Sequence, residues 1–135
     1  MGNTIVGSCF CGACEFEVEN DFKRFYFCHC KQCQKMTSSA HAANLFALPE
    51  TLRWLKGEKE TAIFQHPTRL FTRRFCKHCG SGLPVLTKNE RFYLVPAGSL
   101  NAEPSRVVDA QIFIEEQSEW HKEGLKQECC EGFPQ

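Results

Sequence analysis

Eight of the chain's ten cysteines fall in three short clusters, and nothing else in the sequence limits the fold so sharply. The clusters are "SCFCGAC" with Cys9, Cys11 and Cys14, "FCHCKQC" with Cys28, Cys30 and Cys33, and "FCKHCG" with Cys76 and Cys79. C-x-C neighbours make poor disulfides, because the bridge needs two Cβ atoms about 3.8 Å apart on suitably directed vectors. Thiols at these spacings can instead grip one ion together, and zinc is the ion that takes four sulfur ligands tetrahedrally. The start "MGNTIVGSCF" has no basic segment followed by an apolar one. No secretory signal is therefore expected, and the thiols are expected to sit in a reducing cytoplasm.

The outer clusters supply a closed site. "CKHCG" reads as a knuckle: two cysteines on a turn whose backbone N–H groups point at the sulfurs, with Gly80 free to take a positive φ. For its other half, spacing alone would select Cys11 and Cys14. Strand parity selects differently, since Cys14 shares a face with Phe16 and Val18 and reads as a small buried hydrophobe. Cys9 and Cys11 share one side of an extended chain. The expected ligand set is Cys9, Cys11, Cys76 and Cys79, with Cys14 in place of Cys9 as the alternative. Four thiolates leave no open position, so this zinc is expected to be structural.

The middle cluster offers only three ligands. Three thiolates around Zn²⁺ leave a net charge of about −1, a weaker Lewis acid than an ion held by neutral imidazoles. Such an ion still accepts a fourth soft ligand, and a substrate thiol entering there would have its pKa lowered. The alternatives are a fixed fourth protein ligand, which would make this site structural too, or a site that is partly occupied or empty. His29 points away from Cys28 and Cys30 on an extended segment and reads as a buried, hydrogen-bonded side chain. Lys35, Ser38, Ser39 and His41 follow the cluster and can line its open position or lie on ordinary surface. Arg69, Arg73 and Arg74 can meet ligand carboxylates or form a solvated strand face.

Around these clusters the chain reads as strands. "CEFEVE" alternates strictly, and "RFYFC", "HAANLFAL", "LRWLKG", "TAIFQH", "LFTRRFC", "LPVLT", "RFYLVPAG" and "VVDAQIFIE" are short and rich in aromatic or β-branched residues. "CQKMTSS" and "SEWHKEGLK" allow short helical turns, "VPAGSLNAEPS" reads as a surface loop, and Trp54 and Trp120 read as core. The 135 residues suit one domain spanning 1–135. Sixteen basic residues against sixteen acidic ones give no basic excess, so nucleic acid is not expected as a partner. No apolar run reaches the roughly 20 residues of a membrane helix, so no membrane is expected either. Nothing in the pattern fixes the oligomeric state or a role for Cys129 and Cys130.

With these residues in place, the chain resembles the family of glutathione-dependent formaldehyde-activating enzymes and centromere-protein-V-like proteins. The matching stretches are "GSCFCGACEFEV", "CHCKQCQK", "RRFCKHCGSGL", "GSLN" and "IFIEEQSEWHKEG", in the family's order. The resemblance implies an all-β, Mss4-like fold of small antiparallel sheets. It places a structural zinc on Cys9, Cys11, Cys76 and Cys79, and a second, catalytic zinc on Cys28, Cys30 and Cys33. It also implies carbon–sulfur lyase-type chemistry on a thiol such as glutathione and a small aldehyde such as formaldehyde. The alternative is a non-catalytic zinc-binding module that presents a surface to a protein partner. Two departures stand out: Ser38 where the family commonly has glycine, and "AQIF" where it often has His-Ile before an aromatic residue.

Overall fold

The alternating segment "EFEVE" sets the first sheet of the computed structural model, which describes residues 3–134. It forms β2 (Glu15–Glu19), with Phe16 and Val18 fully buried and the glutamates turned outward. β2 lies between β1 (Thr4–Ser8) and β5 (Leu52–Lys56) and runs antiparallel to both. Gly7 pairs with Phe16 on one side and bridges Leu100 on the other. A Cβ there would come 2.2 Å from the Phe16 ring and 2.7 Å from the Ser99 carbonyl oxygen, so a residue without a side chain is required.

The second sheet carries the middle cysteine cluster. Its order is β11 (Ala110–Ile112), β3 (Arg24–Cys28), β4 (Ala42–Ala47), β10 (Tyr93–Pro96) and β9 (Val85–Leu86). The third joins β6 (Thr61–Gln65), β7 (Thr72–Cys76) and β8 (Gly82–Leu83). Phe16, Val18, Leu45, Leu83 and Val95 pack between the sheets in one buried cluster. Each contributes on the order of 1.5–3 kcal/mol by burial. Two short helices, α1 (Lys31–Thr37) and α2 (Glu119–Gly124), complete an all-β, Mss4-like architecture.

The pairing departs from a purely antiparallel expectation in one place, since β11 runs parallel to β3. Asp109 directs it there. The Asp109 N–H donates to the Phe25 carbonyl at 2.8 Å, and the Phe25 N–H donates to Asp109 Oδ2 at 2.8 Å. Arg106 clamps the same carboxylate at 2.9 and 3.1 Å. Trp120, expected in the core, is 63% exposed, because its short helix rests on the sheet through other residues. Trp54 is half-buried, edge-on to Phe16 at 5.9 Å and capped by the Arg74 guanidinium at 5.1 Å. In the expected surface loop after β10, Ser99 is buried and donates to the Pro96 carbonyl at 2.6 Å.

α1 starts and stops for local reasons. Cys30 is its N-cap, accepting the Cys33 N–H at its sulfur. Ser38 ends it in the left-handed region, φ 55°, with its N–H on the Gln34 carbonyl. That conformation explains why glycine suits this position, and it leaves Ser38 carrying a Cβ penalty of about 1 kcal/mol.

Two outcomes follow from this packing. Ser38→Gly should raise stability by about 0.5–1 kcal/mol, read as a higher urea midpoint at constant slope; a lower midpoint would show that the serine is not strained. Asp109 titrates below the usual carboxylate range because Arg106, and then the Phe25 N–H, bond its charged form. It therefore stabilises the fold above about pH 4, and this contribution is lost as pH falls through the lowered value. Asp109→Asn should reduce stability at neutral pH and flatten the acid side of the pH–stability curve. An acid limb identical to that of the parent would rule out this role.

Candidate metal centres and the cleft between them

The N-terminal turn and the β7–β8 hairpin bring four sulfurs together. Those of Cys9, Cys11, Cys76 and Cys79 all lie within 4.8 Å of one another. Cys9 Sγ is 3.7 Å from Cys11 Sγ, which is 3.8 Å from Cys76 Sγ. A tetrahedral ion with Zn–S bonds of about 2.3 Å requires S···S edges of about 3.8 Å, so the donor set and its spacing fit zinc. The knuckle geometry is also present. Cys14 N–H points at Cys9 Sγ and His78 N–H at Cys76 Sγ, each at 3.3 Å. Gly12 and Gly80 turn the two loops at φ 83° and 78°.

Cys14 lies apart from this group. It is fully buried and its thiol donates to the Gly57 carbonyl at 3.4 Å. Burial, reinforced by Cys76 and Cys9, pushes that thiol up to about 12. Cys79 behaves oppositely. Hydrogen bonds from the Ser81 side chain and backbone hold it down at about 5.

The second group is local. Cys28 ends β3, Cys30 caps α1 and Cys33 lies one turn into it, with all three sulfurs buried within 4.8 Å of one another. Among the described residues no fourth His, Cys, Asp or Glu ligand joins them. Burial pushes the Cys28 and Cys33 thiols up. A divalent cation would reverse that by pairing with the thiolates, so three soft donors with one side open fit zinc here too. α1 is held in place from outside: the Gln34 amide donates to the His29 carbonyl at 2.7 Å and the Glu116 carbonyl at 3.0 Å. The Lys31 N–H meets Glu116 Oε1 at 2.9 Å. Neither Gln34 nor Glu116 stands out in the sequence, because their task depends on where the chain's far end returns.

Between the two groups lies a cleft of about 770 Å³, within the size range of small-molecule sites. Cys9 lines it from the first group and Cys33 from the second. Met36, Leu70, Phe71 and Leu94 make its walls largely apolar. Of the three arginines marked in the sequence, only Arg73 lines the cleft. Arg74 is spent on Thr61 Oγ1 (2.7 Å) and Trp54, and Arg69 ties the β6–β7 loop to Gln32 at 2.7 Å. Lys35, Ser38 and Ser39 do not reach the cleft; they border a separate small hollow with Trp120. Cys129 and Cys130 are exposed near the chain's end.

His29, the residue after β3, is fully buried and is not part of the three-sulfur group. Its Nε2 meets Gln111 Oε1 at 3.0 Å, while Nδ1 is buried without a partner. His41, one register step beyond the Cys28–Ala42 pair, lies 4.9 Å from it between ring centroids. His121 of α2 closes the group at 5.7 and 5.6 Å. Burial holds the His41 pKa down, and the neighbouring imidazoles add to the effect. His41 was one of the residues placed by sequence near the open sulfur position. It stacks instead on Phe27 at 4.3 Å, outside the cleft.

Residues 4–116 match the family described as glutathione-dependent formaldehyde-activating enzyme. A crystal structure of a Rhodobacter sphaeroides protein is similar at a TM-score of 0.63 and 27% identity, covering 79% of this chain and 99% of that one. No curated protein matches the chain. No helix among the described residues is long and apolar enough to cross a membrane.

The buried histidine gives a direct test. With Nε2–H donating to Gln111, Gln111→Leu leaves both ring nitrogens of His29 without partners. The expected loss is about 1–3 kcal/mol by denaturant titration, and a change under about 0.5 kcal/mol would show that the bond carries no weight.

Proposed function

We propose, for a chain that belongs to the glutathione-dependent formaldehyde-activating enzyme family, that it is a zinc enzyme joining a small thiol such as glutathione to a small aldehyde such as formaldehyde. The observation that carries this reading is the placement of Cys33: it belongs to a buried group of three sulfurs and also lines a cleft of ligand size. In this reading Cys28, Cys30 and Cys33 hold one zinc. Cys9, Cys11, Cys76 and Cys79 hold another, whose four protein ligands leave it structural. Residues 1–135 act as one zinc-binding domain, and the compartment is the reducing cytoplasm, which keeps the ligand thiols available.

Cys28, Cys30 and Cys33 would hold the zinc, which would supply a soft electrophilic centre able to lower the pKa of a thiol. The chain's own residues do the rest. α1 and the end of β3 fix the three sulfurs on one side of the cleft, and Phe71 packs against them. Met36 and Leu94, both half-buried, put apolar surface beside the reacting sulfur and carbonyl and limit the water that competes for the aldehyde. The thiol sulfur forms a bond to the carbonyl carbon, and the carbonyl oxygen takes up the proton that the thiol loses. The product is an S-hydroxymethyl adduct, and the reverse direction is a carbon–sulfur lyase reaction.

Metal analysis and a ¹³C-formaldehyde assay test this together. The parent should carry about two zinc ions per chain and accelerate adduct formation from glutathione. Cys30→Ser should carry about one and lose at least about 100-fold in turnover. One zinc in the parent, with turnover undiminished in Cys30→Ser, would overturn the reading. Two zincs with no acceleration for any thiol would favour the non-catalytic module that presents its surface to a protein partner.

A further inference from the structure

We propose that the cleft selects thiols that carry a carboxylate, and that Arg73 is the residue that reads it; this rests on the thiol–aldehyde reading above. The residues lining the cleft include one cation, Arg73, and no aspartate or glutamate. The chain as a whole is neutral, so this local imbalance is not a by-product of a basic surface. It is also not cancelled within the fold.

Among the described residues four of the other six arginines have side-chain hydrogen-bond or ion-pair partners, and the two that do not, Arg24 and Arg91, are exposed to water. Arg53 is paired with Glu17, and Arg106 with Asp109. Arg74 donates to Thr61 and Arg69 to Gln32. Arg73 is half-buried, and among the described residues its guanidinium has neither a hydrogen-bond acceptor nor an ion-pair partner. A half-buried guanidinium with five donors and no acceptor forfeits hydration without replacing it, a cost that an anionic ligand removes.

The local packing leaves those donors available. β7 directs the side chain across β8 at Gly82, where a Cβ would stand only 3.6 Å from Arg73 Nη2. The guanidinium carbon lies 5.8 Å from the Phe75 ring centroid. A cation over an aromatic face uses its charge and leaves its N–H edge free, and that edge matches a carboxylate in two-point fashion. Cys33 and Arg73 line the same cleft, so the sulfur of one ligand can address the cysteine group while its carboxylate meets Arg73. Glutathione, with two carboxylates, belongs to this class, and 2-mercaptoethanol does not.

The test compares the two thiols on the zinc-loaded protein. Arg73→Gln should raise KM for glutathione about tenfold relative to KM for 2-mercaptoethanol, with kcat for glutathione within about twofold of the parent. Arg73→Lys, which keeps the charge but not the fork, should fall between. Equal changes for both thiols, or no change for either, would overturn the inference. A second readout does not require turnover: calorimetric binding of S-methylglutathione, whose thiol is blocked and whose carboxylates are intact. It should weaken about tenfold in Arg73→Gln at matched zinc content. Equal affinity for parent and variant, or no binding to the parent at millimolar concentration, would overturn the proposal even if adduct formation is confirmed. If the parent makes no adduct with any thiol but binds S-methylglutathione through Arg73, the catalytic reading fails and the carboxylate site stands.

Discussion

Everything in this fold has to accommodate one distance: sulfurs from the N-terminal turn and from the β7–β8 hairpin must meet at the edges of a small tetrahedron. The 3.7 and 3.8 Å separations leave little slack in where β1 ends or where β7 turns. The demand is met with small residues. Gly7 lets β1 pass between Phe16 and the segment at Ser99, and Gly12 and Gly80 bend the two sulfur loops. The first sheet and the third are thereby fixed relative to each other at the point where the cleft opens.

The two cysteine groups use the same chemistry under different constraint. One draws its sulfurs from two separate loops, so an ion there would close a long stretch of chain and act on stability as a cross-link does. The other is built within six consecutive positions by a strand end and a helix cap, and it needs no distant partner. A site assembled from one local segment can leave a side open without loosening the fold. The far end of the chain contributes indirectly, through Glu116 against α1 and His121 beside His29 and His41.

Period and parity made much of this readable. The alternation of "EFEVE" gives β2 and its buried face, and extending that parity backward separates Cys14 from Cys9 and Cys11, where the structure also separates them. The residues bordering the middle cluster were less legible. Lys35, Ser38, Ser39 and His41 follow it closely in sequence, yet none of them lines the cleft, and sequence proximity carries no information about where the chain turns after the cluster. The parallel return of β11 was hidden too. It depends on Asp109 meeting a backbone N–H eighty-four positions earlier, and a lone aspartate gives no sign of such a partner. Trp120 misled because its bulk predicts burial only where a helix offers enough face to bury it.

The composition of the cleft has a kinetic consequence. Its lining comes from six stretches spread across most of the chain, around Ser8–Phe10, Cys33–Thr37, Ala42–Asn44, Leu70–Arg73, Ser81–Val85 and Leu94–Asn101. The β7–β8 hairpin supplies one wall, and the rest must be brought to it from distant parts of the chain. Long-range closures of this kind form late and slowly, since their loop entropy must be overcome before any contact compensates for it. The cleft is therefore a property of the finished topology alone, whereas the three-cysteine segment beside it can gather its sulfurs while the chain is still arranging itself.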